Sequence, residues 1–536
     1  MKTTEFPHRK IWRITYPVLI SLLMEHLIGM TDTAFMGHVG EVELGASAIA
    51  GIYYMVLYML GFGFSVGAEI LMGRRNGEGQ YRSIGNIFFQ GSAILMMIAA
   101  AVTLLSYTVS PVLLRNILSS PAIYGATMDY INLRIWGLFF SLIACMFRAF
   151  YMATTRTSIL TLNGIVMVLS NVVLNYIFVF GKLGLPAMGI AGAAIGSTAA
   201  EFISVVFFVL YTRQRTDYKR YGMFRFTRLS PLIQRQIFRV SGWTTVQYFI
   251  SSATWLFFFL AIEHLGERPL AVSNIVRNVS AFFYMFVSAF ASTGTAIVSN
   301  LMGNGKPQEV MPVCYRIMRM CAAAILPLFL LAMAFPALIM RIFTDNADLI
   351  AAAVPSMRVM LLIYILNVPA YVLFLAVSGT GNTRRALEID MASIFVYVIY
   401  ICIIAVRLRS DIALCWTSDA VYALGLLVLS YLYLKRADWQ SKTASCEPSP
   451  AEPPHAASPA VSESIIVTAA ALRHNLYLLY DLRGLLYLPA FLHKNKPNLL
   501  IFFSNYNCVP KCPTIIIKSA YTCYYIFLYR IVTISL

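Results

Sequence analysis

Charged side chains are scarce in this 536-residue sequence, in which Asp, Glu, Lys and Arg together make up 12%. An ordinary soluble domain contains about 25% charged residues, because its surface must face water. Hydrophobic residues account for 59% of the chain. Length alone would allow several soluble domains, but so few charges cannot cover their surfaces. The composition excludes a soluble globular protein and predicts an integral membrane protein.

Acidic residues are scarcer than basic ones, 24 against 41, which gives a formal net charge of +17. In a soluble protein this excess would suggest a nucleic-acid partner. Here the basic residues lie in short gaps between apolar runs, a distribution typical of membrane topology. We therefore expect a lipid bilayer around the chain and no nucleic-acid partner.

Motifs for nucleotide or metal chemistry are missing as well. The sequence contains no GxxxxGK[ST] loop, no zinc-protease motif and no nucleophile–base pattern. Among its nine cysteines, Cys508 and Cys512 are closely spaced but have no accompanying His or second Cys pair at zinc-site spacing. We expect no enzyme, no bound nucleotide and no resident cofactor, so any energy that the protein uses would come from an ion gradient.

Long apolar runs dominate the first 436 residues. A membrane-spanning helix needs about 20 mainly apolar residues, whereas a membrane β-barrel would show segments of about 10 alternating residues. The runs are too long and too continuous for strands, so we predict an all-α fold with twelve spans. The predicted spans are 14–36, 46–72, 84–113, 130–153, 160–181, 187–212, 240–262, 270–300, 310–342, 353–377, 387–406 and 411–434.

Lys and Arg residues predict the orientation of these spans. With the N-terminus placed in the cytoplasm, the inner segments hold 24 Lys and Arg and the outer segments hold 6. Cytoplasmic loops carry an excess of these residues, so we expect the N-terminus and the end of the twelfth span to be cytoplasmic.

Three motifs recur at an offset of 226 residues, which predicts an internal repeat. The repeated motifs are 11–14 with 237–240, 77–79 with 303–305, and Thr154 and Thr157 with Thr380 and Thr383. Each repeat holds six spans, and an even number means that both insert the same way up. Such parallel repeats are known in transporters, where two bundles move against each other around a shared site.

The repeat and the polar gaps divide the chain into four predicted parts. Residues 1–212 form an N-terminal six-helix lobe, 213–239 a basic cytoplasmic linker, and 240–440 a second six-helix lobe. Residues 441–536 begin with a Pro-, Ser-, Ala- and Glu-rich stretch and then lose clean periodicity, so we expect a poorly structured tail without assigned function.

Several of these motifs resemble the multidrug and toxic compound extrusion (MATE) family over residues 1–440. They are GAEILMGRRNGEG at 67–79, GTAIVSNLMGNG at 294–305, SGTGNT at 378–383, NVVLNYIF at 171–178, GIAGAA at 189–194 and TDTAFMG at 31–37. The resemblance implies two lobes forming a V, and cation-coupled export of small molecules that are often amphipathic and cationic.

A candidate coupling site follows from the polar residues within the first and fifth spans. Asp32 matches the family's helix-one aspartate, and an ionisable side chain inside a span is costly enough to suggest a function. Asn171 and Asn175 lie four residues apart on one helix face, at nearly the depth of Asp32. Together they offer oxygen ligands for Na⁺, or Asp32 could carry a proton. Glu25, seven residues before Asp32, is a second candidate or a structural carboxyl group.

Weaker candidates lie elsewhere in the spans. Arg277 and Asp419 lie at similar depths and are predicted to pair, with Glu263 as a rival partner. Glu201 is intramembrane with no assigned partner. Aromatic and Met surfaces adapt to varied ligands and attract cations. On this basis the substrate cavity is predicted to involve Tyr53, Tyr54, Tyr284, Met285, Tyr364 and Asn367.

These features favour a secondary antiporter that exports small molecules in exchange for Na⁺ or H⁺. The expected setting is the plasma membrane, the inner membrane of a bacterium, with the chain acting as a monomer. Two other interpretations remain open: a flippase for lipid-linked precursors, and a membrane scaffold that transports nothing. A flippase would need a strongly cationic cavity, whereas few Arg and no Lys lie within the spans.

Overall fold

The apolar runs fold into helices, and the chain forms fourteen α-helices and no β-strand within the residues that the structure describes. The structure is a computed structural model that describes residues 6–118, 120–225, 227–263, 265–341, 346–436 and 439–440. In chain order the helices are α1 (His8–Val39), α2 (Glu41–Gly77), α3 (Tyr81–Ile117), α4 (Pro121–Arg134), α5 (Gly137–Ala153), α6 (Ser158–Phe180), α7 (Gly189–Arg215), α8 (Pro231–Glu263), α9 (Glu267–Gly303), α10 (Val310–Ala334), α11 (Pro336–Met340), α12 (Ala347–Gly379), α13 (Thr383–Ile401) and α14 (Ile412–Lys435).

Eleven of the described helices are long and apolar enough to cross a membrane, and α4 with α5 forms a twelfth span bent by 50°. The number of predicted spans is therefore confirmed. Most helices extend beyond their predicted limits. The α2 helix has 37 residues, about 56 Å at 1.5 Å per residue, whereas the apolar core of a bilayer is about 30 Å thick. Hydropathy detects only the part inside that core.

Three predicted spans differ from the structure in shape. The span at 130–153 is the second part of the bent α4–α5 pair, which begins at Pro121. Within the predicted span 310–342, α10 ends at Ala334 and the short α11 begins at Pro336. The break occurs there because proline lacks the N–H that would continue the preceding helix. The span at 387–406 ends in a π-helical turn over Cys402–Arg407.

Two lobes are built from the two halves of the chain. In the first lobe α6 packs between α1 and α7, and α2 packs against α5; in the second lobe α12 packs between α9 and α14. The first lobe buries Phe64, Phe147 and Phe150, and the second buries Phe258 and Trp416. Between the lobes, α7 ends at Arg215 and α8 begins at Pro231, so residues 216–230 form the connection outside the helices.

The lobes meet along α2, which packs against α8 and α9 of the other half. Asn76 Nδ2 donates a hydrogen bond to Asn300 Oδ1 (2.6 Å), and Asn300 Nδ2 donates to the carbonyl of Ala153 (2.8 Å). A Cβ atom on Gly67 would overlap with Ser241 of α8, so glycine is required for this approach. These interlobe contacts lie at the end of the molecule that carries the basic loops, which we call the basic end.

The predicted tail at 441–536 lies outside the described residues. Nothing in the structure bears on it.

Candidate functional site

Four polar side chains meet near the opposite end of the first lobe. Asn175 Nδ2 donates to Asp32 Oδ1 (2.6 Å) and to Asn171 Oδ1 (3.2 Å). Ser197 Oγ donates to Asp32 Oδ2 (3.4 Å) and accepts from Asn171 Nδ2 (3.0 Å). The structure therefore brings together the three residues predicted from α1 and α6, and it adds Ser197 from α7. We call these four residues the Asp32 cluster.

Helix packing places the Asp32 cluster. Asn171 and Asn175 are one turn apart on α6, so both face α7 and α1. Gly196 of α7 lies against Asn175, and a Cβ atom there would overlap with Asn175 Oδ1. The absence of a side chain at Gly196 thus allows α6 and α7 to approach and leaves room for the amide.

Burial makes the Asp32 cluster asymmetric. Asn171, Asn175 and Ser197 are buried, whereas Asp32 is half-buried. The oxygen Oδ1 of Asn175 is inaccessible to solvent and has no hydrogen-bond partner. An unpaired buried carbonyl oxygen is costly, and beside a carboxylate it is an oxygen ligand that a small hard cation could use.

The candidate ligand atoms of the Asp32 cluster are all oxygens. Within the described residues no group of three or more His, Cys, Asp or Glu could hold a metal ion. A cation at the Asp32 cluster would instead use one carboxylate and the amide oxygens of Asn171 and Asn175. Such a site suits a monovalent hard cation better than a transition metal, which prefers imidazole or thiolate ligands.

Glu25 does not join the Asp32 cluster. Its side chain is 49% exposed, and its Oε1 lies 4.0 Å from Nη1 of Arg148 on α5. The prediction of a second coupling carboxylate beside Asp32 is therefore not supported by a contact. The spacing of seven residues placed both acids near one face of α1, but Arg148 on the neighbouring helix provides a charged partner for Glu25.

A second polar cluster in the first lobe was not predicted. Arg134 of α4 forms an ion pair with Glu201 of α7, and its Nη1 donates to Glu201 Oε2 (2.8 Å). The hydroxyl of Tyr54 bonds with Ser141 Oγ (2.8 Å) and donates to Glu201 Oε1 (3.3 Å). The guanidinium also lies 3.9 Å from the centre of the Tyr54 ring. The partner of Glu201 is thus Arg134, which lies just before the break between α4 and α5.

The predicted pair of Arg277 and Asp419 is wrong. Arg277 is exposed on α9, and its guanidinium lies 4.9 Å from the centre of the Phe259 ring. No ion pair joins it to Asp419 or Glu263 within the described residues. The prediction compared only the depths of the two residues along their spans, and the rotation of each helix about its axis was unknown.

The second lobe contains a buried carboxylate that was not singled out. Asp390 of α13 is 1% exposed. Its Oδ2 accepts from Ser251 Oγ (2.8 Å), and its Oδ1 accepts from the Tyr422 hydroxyl (2.7 Å). An acidic residue at the fourth position of the predicted span 387–406 was the available signal. No cation accompanies Asp390 among these contacts, so it differs from Glu201.

The residues predicted to line a substrate cavity fall into two groups. Tyr284 is 43% exposed on α9 and packs edge-on against Tyr371, with ring centres 5.4 Å apart. Asn367 is half-buried on α12. The half-buried Tyr53 donates its hydroxyl to Ser106 Oγ (2.9 Å). These residues are accessible from outside the core.

Two other predicted cavity residues are part of the core. Tyr364 is 4% exposed, and its hydroxyl donates to the carbonyl of Ser280 (2.6 Å). Met285 is 8% exposed and packs into the core of the first lobe. Tyr54 is half-buried, and its hydroxyl is held by Ser141 and Glu201.

Comparisons with known proteins add to this geometry. The family model described as MatE matches residues 17–177 and 244–404, one stretch in each lobe. The probable multidrug resistance protein NorM of Idiomarina loihiensis is 26% identical over 303 residues, which cover 56% of this chain and 65% of that protein. Its counterpart in Pasteurella multocida is 23% identical over 393 residues, which cover 72% of this chain and 83% of that protein. The chain thus spans just under two thirds of the first relative's length.

A solved structure of a eukaryotic MATE transporter has the same fold. It superposes with a TM-score of 0.73 at 18% identity, covering 81% of this chain and 97% of that one. The likeness confirms the predicted all-α, V-shaped fold of twelve membrane-spanning helices in two six-helix lobes. The two stretches matched by the family model also begin at residues 17 and 244, close to the repeat offset of 226.

Proposed function

This chain belongs to the MatE family, whose relatives named above are transport proteins and not enzymes, and from that premise we propose that it is a secondary antiporter. It exports small amphipathic compounds, often cationic, in exchange for Na⁺ or H⁺. The observation that carries the proposal is the Asp32 cluster. It holds a half-buried carboxylate and an unpaired amide oxygen inside a membrane-spanning lobe.

The coupling ion acts on Asp32 in this proposal. A proton added to one carboxylate oxygen turns that oxygen into a hydrogen-bond donor and weakens it as the acceptor for Asn175 or Ser197. Na⁺ instead binds the Asp32 carboxylate together with the amide oxygens of Asn175 and Asn171. Either ion neutralises the charge and changes the hydrogen bonds that join α1 to α6 and α7. The coupling ion thereby has different affinities for two arrangements of these helices, which is the thermodynamic requirement for coupling.

The lobes alternate between two packings. We propose that the basic end is cytoplasmic, because the segments predicted for that side hold 24 Lys and Arg in the sequence against 6 for the other side. The interlobe hydrogen bonds of Asn300 lie at this end, and in this proposal they hold the protein closed to the cytoplasm. Loading from the cytoplasm requires that these bonds break.

The transported compounds are recognised by aromatic surfaces in this proposal. Tyr284 and Tyr371 form an edge-on aromatic pair on the second lobe, and aromatic faces attract organic cations. The proposed setting is the plasma membrane, the inner membrane of a bacterium, and the proposed working unit is a monomer.

The experiment measures efflux of a fluorescent organic cation from proteoliposomes with an imposed Na⁺ or H⁺ gradient. Wild-type protein is compared with Asp32→Asn, which keeps the shape of the side chain and removes its charge. The control is Asp129→Asn, which removes an exposed carboxylate of the same lobe. We expect one gradient to drive export in wild type and in the control, and Asp32→Asn to abolish the response.

Two results would contradict the proposal. Gradient-driven export that persists in Asp32→Asn would remove the coupling role of the Asp32 cluster. No export under either gradient, with folded protein confirmed by its thermal unfolding, would favour a lipid-linked precursor flippase or a non-transporting scaffold.

A further inference from the structure

A cavity of about 340 Å³ opens at the basic end of the first lobe. Three segments surround it: the start of α1, the turn between α5 and α6, and the end of α7. None of these residues belongs to the Asp32 cluster. We call this site the basic cavity.

Among the residues that the structure describes, four basic side chains and no acidic one line the basic cavity. They are Lys10 and Arg13 from α1, Arg156 from the turn, and Arg215 from the end of α7. Within the described part of the chain, no carboxylate pairs with Arg13, Arg156 or Arg215, and all three are exposed. Positive charges gathered in one concave site repel one another and raise the local concentration of anions.

A nearby acid does not neutralise the basic cavity. Asp217 follows Thr216, but it lines a separate cavity with Lys219 and Arg220. There its Oδ1 accepts a hydrogen bond from the backbone N–H of Arg220 (3.2 Å). Both cavities therefore lie at the basic end of the molecule, but an acidic side chain lines only the one that contains Asp217 among the described residues.

The start of α6 adds to the positive field. Ser158 and Ile159, the first residues of this 23-residue helix, line the basic cavity. No side chain caps the helix, and the hydroxyl of its N-cap residue, Thr157, donates to the carbonyl of Ile14 (2.7 Å). The N-terminal end of a helix carries a partial positive charge, which here is directed at a site already lined by guanidinium groups.

An exposed apolar stripe begins one turn from the basic cavity and runs along α6. It consists of Leu162 (45% exposed), Ile165 (39%), Leu169 (61%) and Val173 (55%). The spacing of three and four residues places these side chains, with Ser158, on one face of the helix. In a bilayer this face contacts acyl chains, whereas a soluble anion such as phosphate has no apolar part that could contact it.

We propose that the basic cavity binds the phosphate of an anionic phospholipid, whose acyl chain lies along the stripe on α6. Arginine suits this ligand, because its planar guanidinium donates paired hydrogen bonds to phosphate oxygens. Basic pockets between membrane helices on the cytoplasmic side are a physical basis for binding such headgroups. The ligand bridges α1, α6 and α7, which are the helices that also hold the Asp32 cluster.

The experiment measures which lipid the full-length protein retains after extraction from nanodiscs of equal phosphatidylglycerol and phosphatidylcholine, by native mass spectrometry. The test variant is Arg13→Gln/Arg156→Gln/Arg215→Gln. The matched control is Arg82→Gln/Lys219→Gln/Arg220→Gln, which removes three charges from the neighbouring cavity. Each basic residue near an anionic lipid surface contributes a factor of about five in binding. We expect the test variant to lose phosphatidylglycerol by on the order of a hundredfold at low salt, and the control to resemble wild type.

Further measurements distinguish a loss of lipid from a loss of folding, and a lipid ligand from soluble phosphate. Arg13→Lys/Arg156→Lys/Arg215→Lys keeps the charge and should retain most of the lipid, while thermal unfolding shows that each variant is folded. Inorganic phosphate, compared with chloride at equal ionic strength, should not release the lipid.

Three outcomes would overturn the proposal. Equal loss in the test and control variants would show only a general surface field. Unchanged retention in a folded test variant would show that the basic cavity is not the site. Release by phosphate but not by chloride would assign the cavity to a soluble phosphate instead of a lipid.

Discussion

At the scale of single residues, Gly196 decides whether the Asp32 cluster can form. Asn175 can face Asp32 only because no side chain on α7 occupies the position of its Oδ1 atom. The spacing of Asn171 and Asn175 predicted a shared helix face, and their depth predicted a position near Asp32. The role of Gly196 could not be predicted, because a glycine in a membrane helix has several meanings until the neighbouring helix is known.

Gly196→Ala is predicted to destabilise the protein by about 1–3 kcal/mol, the usual cost of adding a carbon to a filled interior. The cause is overlap with Asn175, so the cost should shrink when Asn175→Ala is also present. Thermal or denaturant unfolding in detergent measures both. Gly125→Ala is the control, since a Cβ atom there meets nothing within 4 Å. An equal cost of Gly196→Ala with and without Asn175 would contradict this account.

Ser197 and Glu25 show two further limits at the residue scale. A serine within a helix is too common to suggest a site, and only the packing of α6 against α7 brings Ser197 to Asp32 (3.4 Å). Glu25 was a reasonable candidate from α1 alone. Its partner Arg148 lies on α5, and no pattern within one helix predicts a contact with another.

At the scale of secondary-structure elements, the break between α4 and α5 serves an ion pair. A Cβ atom on Gly137, the first residue of α5, would overlap with both Arg134 and Glu201. Hydropathy predicted one span beginning at residue 130, so Arg134 fell in its first turn. The pairing of Arg134 with Glu201 was therefore not predicted. The apolar content of a segment reports that it crosses the membrane, but it does not report a 50° bend.

The Arg134–Glu201 pair is predicted to stabilise the α4–α5 bend strongly, and the effects of replacing its two members are predicted not to add. The two side chains are only 11% and 6% exposed, and removing one partner of a buried pair costs about 3–5 kcal/mol because the other charge is left unpaired. Arg134→Gln and Glu201→Gln should each be strongly destabilising, and the double variant should cost clearly less than the sum. The free energies of unfolding of the purified wild type, the two single variants and the double variant form a double-mutant cycle that measures the coupling.

The exposed Arg384–Glu388 pair of α13 is the comparison for that cycle. Its side chains are 69% and 41% exposed, and exposed pairs contribute about 0–1 kcal/mol. We expect nearly additive, small effects for Arg384→Gln and Glu388→Gln. Additive behaviour of Arg134 and Glu201 as well would show that the buried pair does not hold the bend.

At the scale of the whole molecule, the repeat predicted the architecture more reliably than any single residue predicted a site. Motifs at a fixed offset showed two equivalent six-span units, and the count of spans fixed their parallel insertion. The contacts between the units were not predictable from the repeat. Gly77–Gly79 and Gly303–Gly305 were recognised as equivalent positions, yet the structure places Asn76 and Asn300 across the interface from each other.

Locking that interface is predicted to stop transport without unfolding the protein. Asn76→Cys and Asn300→Cys place one cysteine on each side of the interlobe contact, where the native amide atoms are 2.6 Å apart. Formation of the disulfide under oxidant, monitored by mass spectrometry, joins the lobes at the basic end. The oxidised double variant should show efflux only at the background level, and a reductant should restore efflux. Asn163→Cys/Ser204→Cys is the matched control, because it joins α6 and α7 within one lobe, where the native side chains are 3.0 Å apart.

The comparison of these two cross-links separates motion between lobes from motion within one lobe. If the lobes move as units, only the bond across Asn76 and Asn300 interrupts the cycle, since the α6–α7 contact is kept throughout. Each single variant, which retains the native cysteines, should behave as wild type under oxidant. Mass spectrometry confirms which peptides are linked. Transport that continues with the interlobe disulfide fully formed would mean that the basic end need not open, and alternating access by movement of the lobes would have to be abandoned.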